Sequence, residues 1–415
     1  MLFKLNKLIP CIRNNRFIFT FAYQTMIKMH KNILYTILFL SSILLQGQQR
    51  VITTAVPFLM VAADARAAGM ADIGVATSPD AFSQQWNPAK FAFANEQKGF
   101  SVSYTPYLTD LVNDISLGQI TYYNKITERS AWAGSLRFFG LGNIELRNDA
   151  NDQPRIVSPN ELAIDGSYSL QLSKTFSMAV AGRYIRSNLR IPNENTDASA
   201  ANSFAVDISG YYQSEEKAYT NFNGIWRAGF NIQNLGPKIS YDNDEFNTNF
   251  LPANLKIGSG FDFILDGDNK IAVNLELNKL LVPTPQNADL NNDGIITGQE
   301  NNQNFNNYRT IGWVSGLFQS FGDAPDGFSE EIKEITYALG TEYVYKDAFA
   351  MRLGYFNESP IKGARRYFSL GAGFKYTSAK IDVSYLFSAS KVRNPLENTL
   401  RFSLTFNFGD NYGSN

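Results

Sequence analysis

Thr399-Leu400-Arg401-Phe402-Ser403-Leu404-Thr405-Phe406-Asn407-Phe408 lies near the end of a 415-residue chain and alternates without a break. Leu400, Phe402, Leu404, Phe406 and Phe408 take every second place, and Arg401, Ser403, Thr405 and Asn407 fill the places between. Successive side chains of a strand point to opposite faces, so one face of this strand is wholly apolar and the other wholly polar. Moving towards the N-terminus, the same period-two pattern returns in residues 380–388 and 270–278, where Ile271, Val273, Leu275 and Leu277 oppose Asn274 and Glu276.

Extending that reading predicts strands near residues 100–104, 115–124, 132–139, 161–172, 176–186, 203–213 and 224–233. Seven more follow near 254–263, 270–278, 334–345, 349–356, 367–376, 381–387 and 400–408. Each is closed by a turn cluster, and the total of about fourteen is even. The connections alternate in length. Residues 173–175, 266–269, 346–347 and 377–379 are short, whereas 140–160, 187–202, 234–253, 281–333 and 388–399 are long. With the N-terminus on the periplasmic side, every long loop falls on the outer face of a membrane barrel.

A soluble sandwich or propeller also has alternating strands. It does not require this parity of loop lengths. Nor does it explain the aromatic pairs at strand ends, Tyr122 with Tyr123, Phe138 with Phe139 and Tyr343 with Tyr345, which suit the interfacial girdles of a barrel. The fold class is therefore all-β, an antiparallel transmembrane β-barrel of about fourteen strands spanning residues 99–415. Residues 48–98 break the alternation: small residues dominate 62–76, and the run ends in Gln84-Gln85-Trp86-Asn87-Pro88-Ala89. This segment reads as a plug of short helices and turns folded into the lumen.

Residues 1–47 are read as removed. Lys28 and Lys31 precede an apolar core at 33–45, too short to span a bilayer, which is the pattern of a cleaved secretory signal with an extension in front of it. The whole chain has 37 Lys and Arg against 38 Asp and Glu; six of the basic residues and none of the acidic ones lie in 1–47. The exported part carries 31 against 38, net −7, which argues against nucleic acid as a partner. The one Cys of the whole chain, Cys11, and its one His, His30, also fall in 1–47. That leaves no Ser-His-Asp or Cys-His nucleophile system, no His or Cys zinc site and no disulfide, and hence no enzyme of those kinds.

Asn87-Pro88-Ala89 after an N-terminal hatch and before fourteen strands resembles the FadL family of outer-membrane transporters for hydrophobic compounds. Longer strings resemble the PorV family, FadL-like barrels of the type IX secretion system of Bacteroidota. They are Pro57-Phe58-Leu59, Asp64-Ala65-Arg66-Ala67-Ala68-Gly69-Met70, Gly74-Val75-Ala76-Thr77-Ser78-Pro79-Asp80-Ala81 and Trp86-Asn87-Pro88-Ala89-Lys90. Phe318 to Pro325 and Asn394 to Phe402 agree with them. The resemblance implies an outer-membrane protein that is not an enzyme. Such a protein binds the C-terminal signal domains of cargo as they leave an SprA-type translocon barrel, then delivers them to a PorU-type attachment complex at the cell surface. The alternative is a FadL-type channel for hydrophobic small molecules.

The long loop 281–333 carries two further candidates. Asp289, Asn291, Asp293, Gly294, Ile295, Thr297 and Glu300 satisfy a twelve-residue calcium loop: side-chain oxygens at positions 1, 3 and 5, a glycine at 6, a carbonyl at 7, a hydroxyl at 9 and a bidentate carboxylate at 12. No clear helix flanks it, so an isolated Ca2+ loop bracing the long connection is expected. Trp313, Phe318 and Phe321 are candidate cargo anchors, with strand addition as the other mode. Carboxylate pairs such as Glu330 with Glu331, or Asp242 with Asp244, read as solvated. Arg183, Asn274, Glu276 and Arg352 are expected to form ion pairs across the lumen.

Overall fold

A computed structural model describes residues 50–107, 114–147, 149, 153–189, 200–241, 248–291, 293–390 and 397–411. The segment read as a signal and the Asp242–Asp244 pair lie outside the described residues. Fourteen long strands occur: β1 Glu96–Pro106, β2 Ile115–Thr127, β3 Ser130–Leu141, β4 Asn160–Gln171, β5 Phe176–Asn188, β6 Ala201–Gln213, β7 Asn223–Leu235, β8 Asn254–Ile264, β9 Asn269–Leu280, β10 Thr336–Tyr345, β11 Phe349–Asn357, β12 Arg366–Tyr376, β13 Ala379–Ser388 and β14 Leu400–Asn411. Each pairs antiparallel with the next, and β14 pairs back onto β1 (Phe100↔Phe406, Ser103↔Ser403), closing the barrel. All fourteen predicted segments fall on these strands.

The burial pattern is the reverse of a soluble protein's. Along β14, Phe402 is 45% exposed while Ser403 is 3% and Arg401 1% exposed. Polar side chains therefore point into the lumen and apolar ones outwards, an arrangement that is stable only where the outside is lipid. No helix among the described residues is long and apolar enough to cross a membrane. One rim carries the short turns, including 128–129, 265–268, 346–348 and 377–378, and the other carries the long loops, led by 281–335. One short-rim connection, 214–222, is longer than its neighbours. Strand β10 starts two residues later than predicted, because Glu334 is drawn out of the ladder by Lys279, Lys362 and the Thr284 hydroxyl.

Residues 50–95 fill the lumen with short helical turns, Pro57–Met60, Ala65–Ala68, Ser83–Trp86 and Pro88–Phe93. Each is too short to be stable alone, so the wall must hold it. Val56, Phe58 and Leu59 pack against Leu117, Phe139 and Ile185 near the long-loop rim. Phe91 and Ala94 pack with Tyr123 and Ala131 near the short-turn rim, with the Phe91 and Tyr123 rings stacked 4.9 Å apart. The plug thus descends through the barrel from the long-loop rim and reaches β1 from inside. The order of residues alone placed the chain's entry on the short-turn side; the packing places Arg50 on the opposite rim.

Where the plug meets β10 to β12, backbone lies directly on backbone. A Cβ on Gly354 would stand 2.3 Å from the Ala71 amide nitrogen, and one on Gly371 would stand 3.0 Å from the Cα of Gly69. Only glycine permits that approach.

Candidate functional site

The plug is keyed to the wall by buried charge. Arg66 pairs with Asp80 in the plug at 2.7 Å and with Glu342 on β10 at 2.8 Å. Glu342 also takes Arg352 at 2.7 Å, and Arg352 reaches Asp382 at 2.8 Å. On the far wall Arg183 pairs with Asp165 and Asp207. The Glu276 carboxylate accepts the Gly74 and Val75 amides at 2.9 and 3.0 Å, and Lys256 lies 3.5 Å away over the Trp86 ring. Arg183, Glu276 and Arg352 are therefore lumenal ion-pair residues as anticipated from the sequence, whereas Asn274, anticipated with them, is buried but as a neutral amide forms no ion pair. Such pairs tolerate burial because each charge has a partner.

Asn87, Pro88 and Ala89 also act on the plug. The Asn87 side-chain oxygen accepts the Ala89 amide, capping the turn Pro88–Phe93, and its Nδ2 donates to the carbonyls of Val75 and, on β6, Gly210. Pro88 suits the first turn of a helix, where its missing N–H costs nothing. The motif thus staples the plug to the barrel.

The long outer connection folds into helix α1 Gly298–Thr310, helix α2 Trp313–Gln319 and the turn α3 Phe328–Glu331, followed by a 3-10 turn at Ile332–Glu334. Helix α1 corrects the expectation of a calcium loop without a flanking helix. Thr297 is its N-cap: the Thr297 hydroxyl accepts the Glu300 amide while the Glu300 carboxylate accepts the Thr297 amide and hydroxyl. Within the loop, Gly294 donates to Asp289, Asp293 to the Asn291 side chain, and Ile295 to Asp293. Gly294 has φ +83°, the left-handed conformation that the sharp turn requires. Thr297 and Glu300 are engaged with each other, and no three acidic groups gather closely enough to hold a metal ion among the described residues.

Of the three aromatic candidates, Phe318 is 76% exposed, Phe321 is also exposed and Trp313 is half-buried. Helix α2 sits on the rim through Gly316, which packs against Pro283 and Phe250. Beside it lies a charge cluster that the sequence did not disclose. Arg50 pairs with Asp326 and Glu330; Lys362 with Glu330 at 2.6 Å and Glu334 at 2.9 Å; Lys279 with Glu331 at 2.6 Å and Glu334 at 2.9 Å. Glu330 and Glu331 are buried, which corrects their reading as a solvated pair. Burial opposes ionisation of Glu330, yet Arg50 and Lys362 hold its carboxyl down to about 2, and Glu334 is lowered against the same opposition by Lys362, Thr284 and Lys279. Next to the cluster is a pocket of about 250 Å³ lined by Val51, Ile52, Leu280, Glu358, Lys362 and Arg365. The signal in the sequence was the spacing of Glu330, Glu331 and Glu334 against Phe328 and Ile332, legible only once their cations are known.

Fold and site together define a plugged outer-membrane β-barrel with a charge-locked lumen and a helical outer rim. The family model described as type IX secretion system protein PorV matches residues 45–287, more than half of the chain, and the chain belongs to that family. It is thus an outer-membrane component of the type IX secretion system, in a family of secretion barrels rather than of enzymes, and its partners are those of that system. No curated protein sequence matches. Solved structures similar to it include a TodX monoaromatic hydrocarbon channel variant (11% identity, 83% of this chain and 98% of that one, TM-score 0.47). The CymD monoaromatic hydrocarbon channel is another (11%, 85% and 99%, 0.45), as is a Pseudomonas aeruginosa FadL homologue (12%, 86% and 99%, 0.40). At that similarity they say nothing of what this chain carries.

Proposed function

We propose that this barrel binds the C-terminal signal domains of cargo at an SprA-type translocon and carries them to a PorU-type attachment complex, using its outer helical loop. Membership of the PorV family is the observation that carries the reading. The loop supports it: Phe318 on α2 and Phe321 just after it are exposed to solvent above the rim, the form that anchor residues take at protein interfaces. A channel for hydrophobic compounds fits less well, because the lumen wall is lined by groups such as Ser101, Ser103, Asp165 and Arg183 and filled by the plug.

The test is affinity capture of the tagged barrel from its own outer membrane. Recovery of a very large barrel, or of several exported proteins sharing one C-terminal domain, is expected, and Phe318→Ser with Phe321→Ser should lose the cargo but not the fold. Recovery of the barrel alone with lipid-like molecules inside would favour the channel.

To this reading we add Ca2+ in the loop from Asp289 to Glu300, as a brace for the long connection rather than a reactive centre. The twelve-residue spacing supports it, and so does Asp289 Oδ1, a carboxylate oxygen turned away from solvent and without a hydrogen-bond partner. Asp289, Asn291, Asp293, Thr297 and Glu300 would supply side-chain oxygens and Ile295 its carbonyl.

A further inference from the structure

The turn that follows Gly327 is built with its polar face inwards. Glu330, Glu331 and Glu334 are buried against Arg50, Lys279 and Lys362. On the opposite face Phe328 is 78% and Ile332 51% exposed, and Ile335 is exposed as well. The spacing 328, 332, 335 puts the three on one side of a helical turn. Single exposed apolar residues need no explanation, but three on one face with every acid turned away do.

Two contacts locate that face. Lys279 occupies an outward position on β9, in one column with the exposed Leu275 and Leu277 and paired across the ladder with Leu255. Its ammonium holds Glu331 and Glu334, so the turn lies over the outside of the wall, above lipid-facing residues. Ile335 leads directly into β10, where Tyr337 and Leu339 are the next outward, exposed positions. Two residues of a tilted strand place Ile335 only about 5 Å above Tyr337 along the membrane normal, within the depth at which interfacial amphipathic segments lie.

We infer that Phe328, Ile332 and Ile335 form an interfacial anchor seated in the outer leaflet of the membrane, fixing the long loop to the bilayer as well as to the barrel. The occupant is lipid because the face continues the lipid-facing wall without a break. The charge cluster and the anchor then act together: the cations fix the acidic face, and the bilayer accepts the apolar one. Phe318 on α2 and Phe321 just beyond its end are left free for protein partners.

Site-directed fluorescence tests this. The chain beyond residue 47 has no cysteine, so single cysteines at 328, 332, 318 and 337, made in a Cys11→Ser background, can each carry one environment-sensitive label. The protein is reconstituted in phosphatidylcholine vesicles containing some phosphatidylcholine spin-labelled near the head of its acyl chain. Quenching at 328 and 332 should reach at least about half of that at 337, and a spin label at the chain end should quench less. The label at 318 should stay unquenched. Heat-modifiable mobility on a gel checks that each variant is folded. Labels at 328 and 332 that remain as accessible as that at 318 would overturn the anchor, and so would shielding that arises only when translocon or cargo is added.

Discussion

Replacing Arg66 by methionine removes a buried cation that joins the plug to β10. Arg66 holds Glu342 at 2.8 Å and Asp80 at 2.7 Å, and it donates to the carbonyl and hydroxyl of Ser78. Breaking a buried pair costs about 3 to 5 kcal/mol, chiefly because the stranded charge stays in a low-dielectric site. Here Arg352 still faces Glu342, so the lower end applies. A loss of about 3 kcal/mol raises the undocked fraction of the plug roughly a hundredfold. Hydrogen exchange of the amides between 65 and 76 reads that equilibrium directly. Exchange there should quicken by about two orders of magnitude, while the strand amides and the heat-modifiable gel shift stay as they were. The double variant Arg66→Met with Glu342→Met removes the stranded carboxylate and should be milder than the single. Unchanged exchange in the single variant, or a double at least as damaging as both singles together, would refute the charge-locked plug.

Three other outcomes follow from the same geometry. Gly354→Val places side-chain atoms where the Ala71 amide lies, so the plug should leave that wall and trypsin should cut it in folded barrels. Glu330 has a folded value near 2 against an ordinary 4.5, so its contribution to the rim is complete above about pH 4.5 and fades as pH falls towards 2. Protease sensitivity of the loop should rise across that window, and Lys362→Met should lessen the rise; a loop equally resistant at pH 7 and pH 3 would contradict the cluster. Calcium at about 1 mM should protect the loop 281–335 from proteolysis, and Glu300→Gln should weaken that protection, whereas Asp242→Asn should not.

How much of this was legible in the sequence follows from the range of the forces involved. Alternation along one strand is local, because successive side chains of an extended chain point to opposite faces whatever surrounds them. Thr399 to Phe408, and thirteen segments like it, therefore determined the strands. The parity of loop lengths determined the rims, and the loss of alternation before residue 98 determined the plug. The twelve-residue spacing in the long loop was legible for the same reason, although the helix Gly298–Thr310 behind it was not, being too polar and too rich in Asn to declare itself.

What the tertiary structure decided is everything carried by pairs far apart in the chain. Arg66 meets Glu342 across 276 positions and Arg50 meets Glu330 across 280. No local pattern marks either partner, and Glu330 beside Glu331 has the look of an exposed acidic run until Arg50, Lys279 and Lys362 arrive from three other segments. The course of the plug from the long-loop rim downwards belongs to the same class. It is set by where small and charged side chains of fourteen strands meet inside one closed wall, and closure exists only in three dimensions.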